Sequence, residues 1–218
     1  MNNISKKFVL AMSLLMIANI QSKNNSDNVV KEQHKETVHK KLDKFEQSAV
    51  NVEKNKSDII KSSLKMGQQN ANVEIIMFFD PTGAPCKEAQ KIVVDMINNN
   101  KNICVYLLPV SILGEQSESV TKIYYQLQEL DKNKQSSKLQ EFLNEITKGI
   151  NTGDKVLDII KVNKYDLIRY SNAANVRMDS NKNFLKTLKI VSLPAVFVSK
   201  HGENYKIVRN YNSLPELI

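Results

Sequence analysis

The chain contains no tryptophan, two cysteines, three histidines, five prolines and six glycines in 218 residues. So few cysteines cannot staple a small disulfide scaffold or build a four-thiolate zinc site. His34 and His39 sit five apart, off the spacing that puts two ligands on one helical face, and His201 is remote from both, so no metal centre is expected. The same scatter leaves serine or cysteine hydrolase chemistry without its base. No glycine-rich loop offers backbone amides to a phosphate, and no cofactor is expected. Arginine is scarce as well: Arg169, Arg177 and Arg209 are the only three, so lysine carries the net charge of +8. Lysine rises together with asparagine and isoleucine, as an AT-rich coding sequence would produce. The lysines are dispersed and not interleaved with aromatics, so no nucleic-acid partner is expected. An apolar run of about twenty residues, the length needed to cross a bilayer, is also missing.

What is present begins with an export signal. Asn2 to Lys7 ends in a Lys-Lys pair, Phe8 to Ile20 is almost unbroken apolar, and small polar residues follow, with cleavage expected near Ser22. No cysteine lies nearby to take a lipid. Contact with a membrane is expected only through this segment, should it remain uncleaved.

Residues 23–66 form a region rich in Lys, Glu, Gln, Ser and Asn. Val38, Leu42, Phe45, Ala49 and Val52 fall at alternating steps of four and three, one narrow stripe along a helix. The region is read as a helical arm or stalk, its stripe a candidate seam for a homo-oligomer; a helix laid back on its own domain or a solvated stalk is the alternative.

The globular domain is expected from Gly67 to Ile218. Val73 to Phe79 is a continuous apolar run, as in a central strand covered on both faces. Asp80-Pro81 turns the chain. Lys87 to Asn98 reads as a helix with Cys86, Ala89, Val93 and Met96 on its apolar side, and Ile103 to Pro109 as a second buried strand, so the three elements make a βαβ unit. Residues 115–190 are helical: Val120, Ile123, Tyr124 and Leu127 mark one helix, Leu139, Phe142, Leu143 and Ile146 another, Val156, Leu157, Ile159 and Ile160 a third, and Ile168 to Leu188 a fourth. Val191 to Val198 then enters a strand and Tyr205 to Tyr211 returns antiparallel.

This order, with Phe79-Asp80, Cys86-Lys87, Leu108-Pro109 and Leu193-Pro194-Ala195-Val196-Phe197-Val198, resembles the DsbA family of thioredoxin-fold proteins. The resemblance implies an α/β thioredoxin-like fold with an inserted helical domain, placed in the bacterial periplasm or cell envelope. It also implies a cis-proline at Pro194, which with Leu193 would line a groove for substrate backbone. The segment Gly83-Ala84-Pro85-Cys86 falls on the family's Cys-x-x-Cys motif, with Gly83 in place of the attacking cysteine. Leu193 and the short stretch after the hairpin also depart from the family pattern.

Disulfide exchange needs one thiolate to open a mixed disulfide and a second thiol to resolve it, and Gly83 has no side chain. The expectation is therefore a redox-inactive protein that binds a peptide or exported protein partner beside Pro194. A single-thiol oxidoreductase or mixed-disulfide carrier using Cys86, the one catalytic candidate, is the enzymatic alternative; a structural envelope component is the third. Cys86 shares the apolar side of its helix and Cys104 lies within a strand, so both read as core residues, and whether they pair is left open.

Overall fold

The structure, a computed structural model, describes residues 43–99, 102–132, 138–152 and 172–218. The signal segment, Val38, Leu42, His34, His39 and the helix expected around Val156 to Ile160 lie outside the described residues.

In chain order the elements are α1 Lys44–Lys54, α2 Lys56–Ser62, β1 Leu64–Gly67, β2 Val73–Phe79, α3 Ala84–Asn99, β3 Ile103–Pro109, α4 Glu115–Lys132, α5 Lys138–Thr152, α6 Asn172–Thr187, β4 Ala195–Lys200, β5 Lys206–Val208 and a 3-10 turn Tyr211–Leu217. The strands form one sheet of five in the order β1-β3-β2-β4-β5. β2 runs parallel to β3 in the register Val73 to Ile103 through Phe79 to Pro109, while β4 lies antiparallel on the other side of β2.

Because side chains alternate along a strand, β2 feeds two cores. Ile75, Met77 and Phe79 face α3, α4 and α5, joining Val93, Tyr124 and Phe142. Ile76 and Phe78 face the other way, toward Ala49, Val52, Ile59, Phe197 and Tyr205. Edge-to-face contacts from Phe79 to Tyr124 at 5.6 Å and from Tyr124 to Phe142 at 5.1 Å tie the helical block to the sheet.

Residues 43–66 do not form a separate arm. α1 opens on a capping box: the Asp43 carboxylate accepts the Phe45 and Glu46 N–H groups, each at 2.8 Å, and Glu46 accepts the Asp43 N–H at 3.1 Å. Ala49 and Val52, assigned from sequence to an oligomerisation seam, are instead buried against the second face of the sheet, and Val52 is 0 % exposed. A three-four stripe serves a helix lying on a sheet as well as a coiled coil, and the sheet has claimed it. Lys56 starts the short helix α2 and pairs with Glu74 on β2 at 2.6 Å. The compact unit thus begins at Asp43, not at Gly67.

Ile59, 0 % exposed, makes the difference measurable. Ile59→Ala should destabilise the domain by about 2–5 kcal/mol in urea unfolding, the usual cost of emptying a buried isoleucine site. A residue on a solvated stalk would lose almost nothing.

Sequence reasoning missed β1, which pairs antiparallel with β3 and is only four residues long. Gly67, read as the start of the globular domain, ends this strand at φ +79°, where a Cβ would come within 2.2 Å of the Ile103 carbonyl oxygen.

Candidate functional site

Two loops meet at one end of the sheet. The last β2–β4 pair is Phe78 with Ala195, so the chain leaving β2 (Asp80 to Gly83) and the chain arriving at β4 (Leu193, Pro194) emerge side by side. The Leu193–Pro194 peptide bond is cis. This is also where β2 has β3 on one side and β4 on the other, the end of an open α/β sheet at which ligands collect.

The first turn of α3 contains Ala84, Pro85 and Cys86, with Gly83 just ahead accepting the Lys87 N–H at 3.0 Å. The helix starts three residues earlier than the sequence suggested. Pro85 is accommodated because the first turn has no intrahelical acceptor for the N–H that proline lacks. Gly83 therefore occupies the N-cap position, where helix amides would stabilise a thiolate, and supplies no sulfur.

Cys86 is turned inward. It is 2 % exposed, and its Sγ accepts the Asp80 N–H at 3.4 Å. Burial pushes its thiol up to about 11, the Asp80 N–H opposing and the Asp80 charge adding to the effect. At neutral pH only about one molecule in ten thousand would carry the thiolate. Cys104, also raised by burial, belongs to the core on the opposite face of the sheet, so the two cysteines are separated by the sheet and both are free.

The residue that organises the site is Asp80, which sequence reasoning saw as part of a turn and of the family spelling, with no role of its own. It is 1 % exposed. One carboxylate oxygen accepts the Thr82 N–H at 2.9 Å and the Thr82 hydroxyl at 2.8 Å, a local Asx-type turn. The other accepts the Ile112 N–H at 2.8 Å, the Leu113 N–H at 3.1 Å and the Ser117 hydroxyl at 2.6 Å. Burial alone would raise its pKa, but the hydrogen bonds from Ser117, Ile112 and Thr82 outweigh it and hold the carboxyl below the ordinary 3.8. Asp80 thus binds the loop after β2 to the segment after β3 and the start of α4. The Asp-Pro-Thr spelling signals the local half of this network; nothing in the spelling announces a serine 37 positions away.

The rim of this end is apolar. Ile112 and Leu113, fixed by Asp80, are 54 % and 58 % exposed, and Val191, ahead of Pro194, is 67 % exposed. Among the described residues, no hydrogen bond engages the backbone N–H or C=O groups of Val191, Ser192 or Leu193. Beside Pro194 a cleft of about 170 Å³ opens between α1, this segment and β5, lined by Phe45, Ser48, Val191, Pro194, Val208 and Arg209 among others. Phe45, the outermost described residue of the sequence stripe, therefore lines a cleft. Among the described residues no cluster of acidic, histidine or cysteine side chains could hold a metal.

No protein-family profile matches the chain, and no curated protein is similar to it in sequence. Solved structures do match. Proteus mirabilis ScsC in a transitional conformation aligns with a TM-score of 0.61 at 14 % identity, over 100 % of this chain and 94 % of that one. A periplasmic thioredoxin-like protein from Salmonella enterica serovar Typhimurium aligns at 0.57 and 10 % identity, covering 72 % and 87 %. The thiol-disulfide exchange protein alpha-DsbA2 from Wolbachia pipientis aligns at 0.53 and 16 % identity, covering 78 % and 93 %. With its parallel β2–β3 pair, its antiparallel β4–β5 hairpin and the helical block between β3 and β4, the chain has the thioredoxin fold in its DsbA-like form.

Proposed function

We propose that this is an exported binding protein that holds an extended peptide segment of a partner along Val191 to Pro194 and carries out no thiol–disulfide exchange. The observation that carries the reading is the coincidence of free backbone groups at Val191, Ser192 and Leu193 with a buried, unactivated Cys86 at the same end of the sheet. An extended chain can add to such groups by strand-like pairing, with affinity from main-chain hydrogen bonds and selectivity from flanking pockets. The exposed Ile112, Leu113 and Val191 supply apolar surface that a partner would cover. Export is supported by the signal-like residues 1–22 and by the periplasmic description of the Salmonella structure. The alternative in which Cys86 acts as a lone nucleophile needs a thiol that is exposed and electropositively surrounded, and Cys86 is neither.

Four measurements test this. Iodoacetamide should modify neither Cys86 nor Cys104 in the native protein and both after unfolding, and insulin reduction should not exceed that of Cys86→Ser. On an array of overlapping decapeptides, binding should survive Cys86→Ser, and bound peptide should slow amide exchange at Val191, Ser192 and Leu193. Rapid native labelling of Cys86, or loss of peptide binding in Cys86→Ser, would overturn the reading.

A further inference from the structure

The cleft beside Pro194 has a size and a charge that select an occupant. Its volume of about 170 Å³ is far below the roughly 300–1,000 Å³ of sites that enclose a small-molecule ligand. It is close to the roughly 150 Å³ cavity that accepts one benzene ring. It therefore has room for one side chain. The walls supplied by Phe45, Val191, Pro194 and Val208 are apolar, and Phe45 and Val191 are left 36 % and 67 % exposed.

Among the residues lining the cleft, only Arg209 is charged. Its guanidinium lies 5.2 Å from the Phe45 ring centroid, a cation–π contact at the cleft wall. One terminal nitrogen pairs with the Asp43 carboxylate. A guanidinium has five N–H donors, so this pair leaves capacity for a second anion. Asp43 is also the N-cap of α1, which fixes its position and makes it a permanent competitor at the cleft edge.

We propose that this cleft is a specificity pocket for the bound segment, taking one aromatic or large aliphatic side chain of an extended peptide whose next residue on the same face, two positions along, is acidic and pairs with Arg209. The inference rests on the peptide-binding reading above. The pocket adjoins the unpaired backbone of Val191 to Leu193, so a segment running along those groups would bring alternate side chains to its mouth.

The test uses four fluorescein-labelled decapeptides of alternating Ser and Val with a central Phe-Ser-Asp, Phe-Ser-Lys, Phe-Ser-Asn or Ala-Ser-Asp (below Phe-Asp, Phe-Lys, Phe-Asn and Ala-Asp), measured by anisotropy with the full chain at low and high salt. Phe-Asp should bind about fivefold tighter than Phe-Asn, as an exposed but well-oriented ion pair allows, and the gap should close at high salt. Ala-Asp should bind at least about tenfold more weakly, from the lost burial of the ring. Arg209→Gln should abolish the preference for Asp over Asn while keeping that for Phe over Ala. Asp43→Asn retains a good helix cap and removes the competitor, so it should tighten Phe-Asp binding. Equal binding of all four peptides overturns the pocket but leaves the groove; unchanged acid preference in Arg209→Gln overturns the role of Arg209. No binding of any peptide overturns both readings.

Discussion

Gly83→Cys should create a redox-active pair in one step. A Cβ built at Gly83 lies 3.6 Å from the Cβ of Cys86 and 3.4 Å from its Sγ, with the Asp80 carbonyl oxygen also at 3.4 Å. The first distance falls inside the roughly 3.5–4.5 Å range of Cβ separations in disulfides, and the others are at the near limit of ordinary contact. The new cysteine would sit at the N-terminus of α3, where exposed helix amides lower a thiol toward neutrality; at a pKa near 7 about half would be thiolate, against a few per cent for an unassisted cysteine. After treatment with oxidised glutathione and unfolding, the variant should show one alkylatable thiol, Cys104, where the parent shows two. Insulin reduction should rise from the background of the parent to a clear turnover. A variant that keeps all three thiols free would show that a sulfur added at Gly83 does not suffice to make a pair with Cys86.

Asp80→Ala should have the largest effect on stability of any single polar substitution at the site. It removes the acceptor for five donors, of which the Ile112 and Leu113 amides and the Ser117 hydroxyl come from a different part of the chain. Stranded donors cost about 1–3 kcal/mol each, so a loss of about 3 kcal/mol or more is expected, a fall in Tm of about 6–12 °C for a domain of this size. Asp80→Asn should recover only part of this, because its amide group can accept on one side only and must present N–H groups to donors on the other. The carboxylate also sets a pH dependence. Its folded pKa lies below the ordinary 3.8, so its contribution is complete above that value and is lost as the pH falls through the lowered folded one. Acid unfolding monitored in parallel should therefore show a transition below about pH 4 that is weakened in Asp80→Asn. An unchanged acid limb in the variant would remove Asp80 from this role.

The sheet's parallel core was legible because β2 and β3 are short unbroken apolar runs flanking a helix with a clear apolar side. The spelling also singled out Gly83 to Cys86 and Leu193 to Pro194, and these two segments lie at the same end of the sheet. What escaped were contacts between distant parts. Ala49 and Val52 carry the same spacing whether they meet a second helix or the chain's own sheet, and only Phe197 and Tyr205 across the fold decide between the two. β1 was hidden by its length, four residues at a sheet edge that a helix-rich stretch leads into. Asp80 and Arg209 draw their partners from 37 and 166 positions away, separations that no local pattern records.

The anchoring of α1 bears on the order of assembly. The Ser48 hydroxyl donates to the Lys189 carbonyl at 3.1 Å, the Tyr205 N–H donates to Glu53 at 3.3 Å, and Arg209 holds Asp43. The helix made early in synthesis thus finds its seat only once the final hairpin exists. Such long-range closure slows folding, and until then Val52 and Ile59 stay uncovered. A nascent chain of this design would lengthen with those apolar side chains still waiting for partners that are made last.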